Sequence, residues 1–132
     1  MKDLNGKWQL VAGLYYEDGN PDLGYVHPVV NGYTIDFSLD GTFISNYYAE
    51  YNTANNTNYT GGIYTIDGNS IITLTFTSLN QENKIIQQQI ISYTDIQLDL
   101  SSDLSTDGIS CIEGCGTRYS KIIMPNNWEK LS

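Results

Sequence analysis

Few residues in this chain are equipped for covalent or acid–base chemistry. His27 is the sole histidine, set in Val26-His27-Pro28. A catalytic imidazole needs a partner held within about 3 Å, and no serine or cysteine nucleophile motif accompanies this one. An ordinary loop residue is the simplest reading of His27; a place at the mouth of a pocket is the functional alternative. Cys111 and Cys115 stand in Ser-Cys-Ile-Glu-Gly-Cys-Gly. Three intervening residues depart from the usual redox spacing, and no further Cys or His lies nearby to complete a zinc site. A disulfide between them would pin a glycine-rich turn and favour an oxidising compartment, and a pair of inert thiols is the other reading.

Oxygen ligands are more plentiful. Glu17, Asp18, Asn20 and Asp22 fall close together, as do Asp99, Asp103 and Asp107. Calcium takes roughly six to eight oxygens, but neither group follows the EF-hand spacing, and solvated loop carboxylates account for both. Asp36 and Asp40 share the parity of Thr34 and Ser38, where charge simply wets an outer surface. Neither an enzyme nor a resident metal or cofactor is expected from these residues.

Binding chemistry is better supplied. Eleven tyrosines offer amphipathic rings that can wall a pocket or dock a partner. Tyr33, Ile35 and Phe37 alternate with polar residues, as do Ile72, Leu74 and Phe76. Phe43, Tyr47 and Tyr51 share one parity, and Ile86 and Ile90 bracket Gln88 on one face. A regular strand must then take one glutamine set inside, which makes Gln88 a natural pocket donor. The candidate ligand-binding residues are therefore Tyr33, Ile35, Phe37, Tyr47, Phe76 and Gln88. Ordinary core filling is the plainer reading of the same side chains. Trp128, past the last strand, reads as tail packing.

The elements that position these residues are strands. Trp8, Leu10, Ala12 and Leu14 make one apolar face of a first strand, and Glu17 to His27 reads as a loop from its Gly, Asp and Pro content. Residues 33–39 form the next strand, with Tyr33, Ile35, Phe37 and Leu39 on one face. Asp40-Gly41 marks a hairpin into a strand from Thr42 to about Tyr51, and Asp67-Gly68-Asn69 joins strand 59–66 to a strand with Ile72, Leu74 and Phe76 on one face. Strands follow over 84–91, over 94–100 with Ile96, Leu98 and Leu100 on one face, and over 117–123. Eight short strands in sequence predict an all-β fold, an antiparallel up-and-down barrel whose closure removes both edges. The 132 residues read as a single domain, 1–132.

Composition agrees with that architecture and narrows the partners. Three alanines against abundant Ile, Thr and Tyr disfavour helix. A net charge of −9 repels nucleic acid and anionic membrane surfaces alike, and no apolar run approaches the ~18 residues of a transmembrane segment.

Asn5-Gly6-Lys7-Trp8-Gln9-Leu10-Val11 resembles the Gly-x-Trp opening of lipocalins. With Phe37-Ser38-Leu39-Asp40-Gly41-Thr42-Phe43 and Tyr64-Thr65-Ile66-Asp67-Gly68-Asn69, the chain from about Leu4 to Ile123 resembles the small lipocalin-like domains of Bacteroidetes. That resemblance implies a lipocalin-like barrel that is secreted, periplasmic or anchored to the outer membrane as a lipoprotein, its signal segment lying outside this sequence. It also implies closure of the barrel base by Gly6 and Trp8, with Arg118 packed across the indole. The expected activity is non-enzymatic binding of a small, largely apolar molecule in or at the mouth of the barrel. The alternative is a carbohydrate- or protein-interaction module with an exposed Tyr/Asn surface and a filled interior. An interior cavity above ~300 Å³ would favour the first and a contiguous external tyrosine patch the second.

Overall fold

The computed structural model describes residues 4–17, 20–68, 70–79, 81–101 and 115–122, with the side chains of 15–17, 20–25 and 115 not described. Cys111, the Cys115 side chain and hence the disulfide, Asp18, Asp103, Asp107 and Trp128 lie outside the described residues. The elements are β1 (Gly6–Glu17), β2 (Asn20–Pro28), β3 (Thr34–Phe37), β4 (Thr42–Ser45), α1 (Ala49–Asn55), β5 (Gly61–Ile66), β6 (Ile71–Phe76), β7 (Lys84–Tyr93), β8 (Gln97–Ser101) and β9 (Cys115–Lys121).

Every pairing is antiparallel, and β9 returns to pair with β1, so the sheet closes on itself. One edge of β1 is held by β9 along its length. The other is shared, with β3 opposite Gly6 to Gln9 and β2 opposite Ala12 to Glu17. Because β2 and β3 occupy the same edge, the molecule is an eight-stranded closed barrel. The stretch from Asn20 to Pro28, expected as loop, is strand. Turn-forming residues lower strand propensity, but the free upper edge of β1 supplies ladder partners that outweigh it. Ala12 faces Pro28 whereas Gln9 faces Thr34, so the chain between β2 and β3 is in excess and bows out there.

The base of the barrel is built around Trp8, which is fully buried and donates its indole N–H to the Leu4 carbonyl at 2.9 Å. Gly6 precedes it at φ +120°, a backbone region L side chains rarely adopt, and a Cβ there would lie 2.7 Å from Lys121 Cε. The cation over the indole is Lys121, its Nζ 5.6 Å from the ring, and not Arg118 as expected. Register explains the correction. Trp8 is opposite Lys121, whereas Arg118 is opposite Ala12, and a bulge between Leu10 and Ala12 turns that upper part of β1 over. Arg118 therefore points away from the interior and forks onto Asp99, Nε to Oδ1 at 2.9 Å and Nη2 to Oδ2 at 3.1 Å. By the same bulge Ala12 and Leu14 leave the Trp8 face, and both are buried apart from the main core.

Two apolar positions fall outside the strands that alternation gave them. Leu39 sits in the β3–β4 turn, 79% exposed, where Asp40 Oδ1 accepts from the Thr42 amide and hydroxyl. These bonds, the hydroxyl's first, lower the Asp40 pKa. Ile96, 57% exposed, lies in the turn that Thr94 builds by accepting from the Ile96 and Gln97 amides. A bulge near Ile91 then returns Tyr93 to the inside, 6.4 Å from the Trp8 ring.

Three stability changes follow from these assignments. Gly6→Ala should cost about 1–3 kcal/mol by forcing a side chain into that φ. Arg118→Met should cost about 2–3 kcal/mol, reduced by the partial exposure of the guanidinium but retaining the penalty of an unpaired buried Asp99. Lys121→Met should cost only about 0.5–1 kcal/mol. Urea unfolding of the three variants checks the order, and equal losses for Arg118→Met and Lys121→Met would contradict these assignments.

Candidate ligand cavity

Above the Trp8 layer the interior is not filled. A cavity of about 250 Å³ is walled by Tyr33, Ile35, Tyr47, Leu74, Phe76, Ile86, Gln88, Thr117 and Tyr119. Its size lies just under the ~300 Å³ at which drug-sized pockets begin. The apolar wall is dictated by alternation. Ile35 on β3, Leu74 and Phe76 on β6 and Ile86 on β7 are all buried and inward, and the polar residues between them face out.

Of the six expected ligand residues, Tyr33, Ile35, Tyr47, Phe76 and Gln88 line this cavity. Phe37 does not. It lies one pleat nearer the base, 2% exposed, packed edge-on against Tyr64 at 4.7 Å and tilted against Phe43 at 6.4 Å. Tyr47 lines the cavity by a different route from the one alternation predicts. The strand ends at Ser45, whose buried hydroxyl donates to the Thr34 carbonyl and accepts from the Tyr47 amide, turning the chain. Residues 49–55 then form α1 rather than strand. Asn52 fixes that connection by accepting from the Tyr59 amide and donating to its carbonyl. Tyr51 consequently rides on the helix, against Tyr59 at 6.2 Å, with Lys84 Nζ 4.9 Å from its ring.

The polar end of the cavity comes from β3, β7 and β9. The Tyr33 and Tyr119 hydroxyls hydrogen-bond to each other, and their rings meet edge-on at 5.8 Å. Burial pushes both phenols upward, Tyr33 well above its usual value and Tyr119 to about 12. Gln88 is 8% exposed, and its Nε2 donates to the Ser101 carbonyl at 2.8 Å, so the donor expected for a ligand is already engaged. Its amide oxygen remains available. Thr117 Oγ1 is the single buried side-chain polar atom among the described residues without a well-formed hydrogen bond, and it lies close enough to the Tyr119 phenol to act against the rise in its pKa.

Thr117 and Tyr119 were not singled out from sequence, though their alternation with Arg118 and Ser120 carried the signal. Which parity of β9 faces inward depends on its register with β1, which no local pattern reveals. His27 is exposed on β2, opposite Gly13. No cluster of three or more His, Cys, Asp or Glu side chains among the described residues is placed to hold a metal ion. No helix among them is long and apolar enough to cross a membrane.

The family profile for the lipocalin-like domain matches residues 4–100, which include the Gly6–Trp8 base and most of the cavity wall. The chain belongs to that family. No curated protein matches it. The matched segment stops before β9, so the strand that closes this lipocalin-like barrel, and that carries Thr117 and Tyr119, lies beyond it.

The two raised phenols make a pH prediction. A folded-state pKa above the unfolded value of about 10 contributes stability that is complete below pH 10 and lost as the pH rises through about 12. Alkaline titration followed by phenolate absorbance should show most of the eleven tyrosines ionising first and a late fraction ionising together with loss of circular dichroism. A single early step for all of them would contradict the buried pair.

Proposed function

We propose that this lipocalin-like domain binds a small, largely apolar molecule reversibly inside the barrel. The observation that carries the proposal is the cavity of about 250 Å³ with apolar walls and hydrogen-bonding groups at one end. Burial of the ligand's apolar area drives binding, and the polar end fixes its orientation. A preformed cavity held by a closed sheet keeps the ordering cost of binding low.

The interaction-module alternative needs a filled interior and a continuous external tyrosine patch. Tyr47, Tyr48, Tyr51 and Tyr59 pack mainly on one another and on Phe76, and of these only Tyr47 and Tyr51 are more than a third exposed, at 44% and 40%. These rings therefore favour a role in covering one side of the barrel end. Resemblance to bacterial lipocalin-like domains supports a place at the cell envelope or outside the cell, with the ligand met there. Fractionation of the natural host checks that location, and recovery of the gene product solely from cytosol would refute it.

Ile86→Trp should fill the cavity without disturbing the outer ladder. Native mass spectrometry of protein recovered from its own host should show a bound small mass on the wild type and none on this variant. If an equally retained ligand appears on both, the binding site lies elsewhere.

A further inference from the structure

We propose that the cavity selects an uncharged molecule bearing a hydroxyl group and excludes carboxylates and ammonium ions of the same shape; this rests on the ligand-binding reading above. The first argument is charge. None of the nine lining residues is acidic or basic. Among the described residues the cations lie off the cavity, with Lys7 opposite Asp36, Arg118 on Asp99 on the outward face, Lys121 over Trp8 and Lys84 over Tyr51. An ionised ligand group would be taken out of water with no counter-charge among the described lining residues to meet it.

The second argument is a count of donors and acceptors. Tyr33 and Tyr119 bring two O–H protons, and their mutual bond uses one, leaving one phenolic donor. Gln88 spends a donor on Ser101 and keeps its amide oxygen as an acceptor. The Thr117 hydroxyl makes no well-formed hydrogen bond and lies beside the Tyr119 phenol, so it can turn to a ligand as either. The polar end therefore offers both a proton and a lone pair, and its complement must accept and donate at one atom. A hydroxyl does both. A carboxylate only accepts and an ammonium only donates, so each leaves a buried group of the protein unsatisfied.

Size completes the description. A cavity of roughly 150 Å³ holds benzene, so this one suits a molecule of about ten non-hydrogen atoms. The matched probes are 2-naphthol, naphthalene and 2-naphthoate, titrated at neutral pH against the whole chain by fluorescence or calorimetry. We expect 2-naphthol to bind at least about tenfold more tightly than either of the others, the worth of a single well-made hydrogen bond. Thr117→Val and Tyr119→Phe should each lower the ratio of 2-naphthol to naphthalene affinity. Thr117→Val keeps the side chain's shape and removes a hydroxyl with no well-formed hydrogen bond, so it should fold and remains informative if Tyr119→Phe fails to fold. Equal binding of 2-naphthol and naphthalene, tightest binding of 2-naphthoate, or a preference that survives both substitutions would overturn the selectivity and leave the cavity reading standing. Failure of all three probes to bind would overturn both.

Discussion

Closure of β1 against β9 is the constraint on which the rest of the structure depends. Without that ladder the sheet would have two open edges and one wet face, and Tyr33 and Tyr119 would not meet. With it, the inward residues of every strand share one interior, which Trp8 and Leu4 plug at the base. The ladder also has an irregular middle. The bulge between Leu10 and Ala12 keeps Trp8 and Leu10 inside while turning Ala12 and Leu14 out. It thereby leaves the upper interior to Gly13 and Thr117, which are too small to fill it. A cavity above a tightly packed base is the geometric result.

Glycine serves the same closure at β5. A Cβ on Gly62 would lie 1.8 Å from the Thr75 carbonyl oxygen and one on Gly61 2.2 Å from that of Phe43. The backbones of β4, β5 and β6 approach there more closely than any side chain permits. That close approach brings Phe43 and Phe76 together edge-on at 4.8 Å. Packing of rings at this side and the polar groups of Tyr33, Gln88, Thr117 and Tyr119 at the other give the cavity its two chemically distinct walls. Charge is kept to the outside, where Lys7 stands opposite Asp36 and Arg118 is forked onto Asp99.

Much of the cavity wall was legible because period-two alternation reports the inward face directly. Ile35, Leu74, Phe76, Ile86 and Gln88 all follow from it, since each lies within a strand free of bulges over the stretch concerned. The same rule misplaced residues wherever a strand ended early or slipped. Leu39 and Ile96 continue an apolar alternation, but side-chain bonds from Asp40 and to Thr94 had already turned the backbone. Tyr51 keeps strand parity with Phe43, yet Ser45 and Asn52 redirect the chain into a helix between them. In each case a short polar side chain captured a backbone amide, and a hydropathy pattern does not register that event.

The amino-acid sequence by itself determined the all-β class, most of the strands in their order and most of the apolar lining, while the Gly6–Trp8 base was implied by its resemblance to lipocalins. Those features depend on near neighbours along the chain and on burial, which local residue types encode. Tertiary structure decided which cation covers Trp8, whether residues 20–28 pair, and which face of β9 looks inward. Each of these turns on the register between strands distant in sequence, where a one-residue bulge exchanges the two faces. For that reason Lys121 rather than Arg118 meets the indole, and Thr117 and Tyr119 complete the polar end of the cavity.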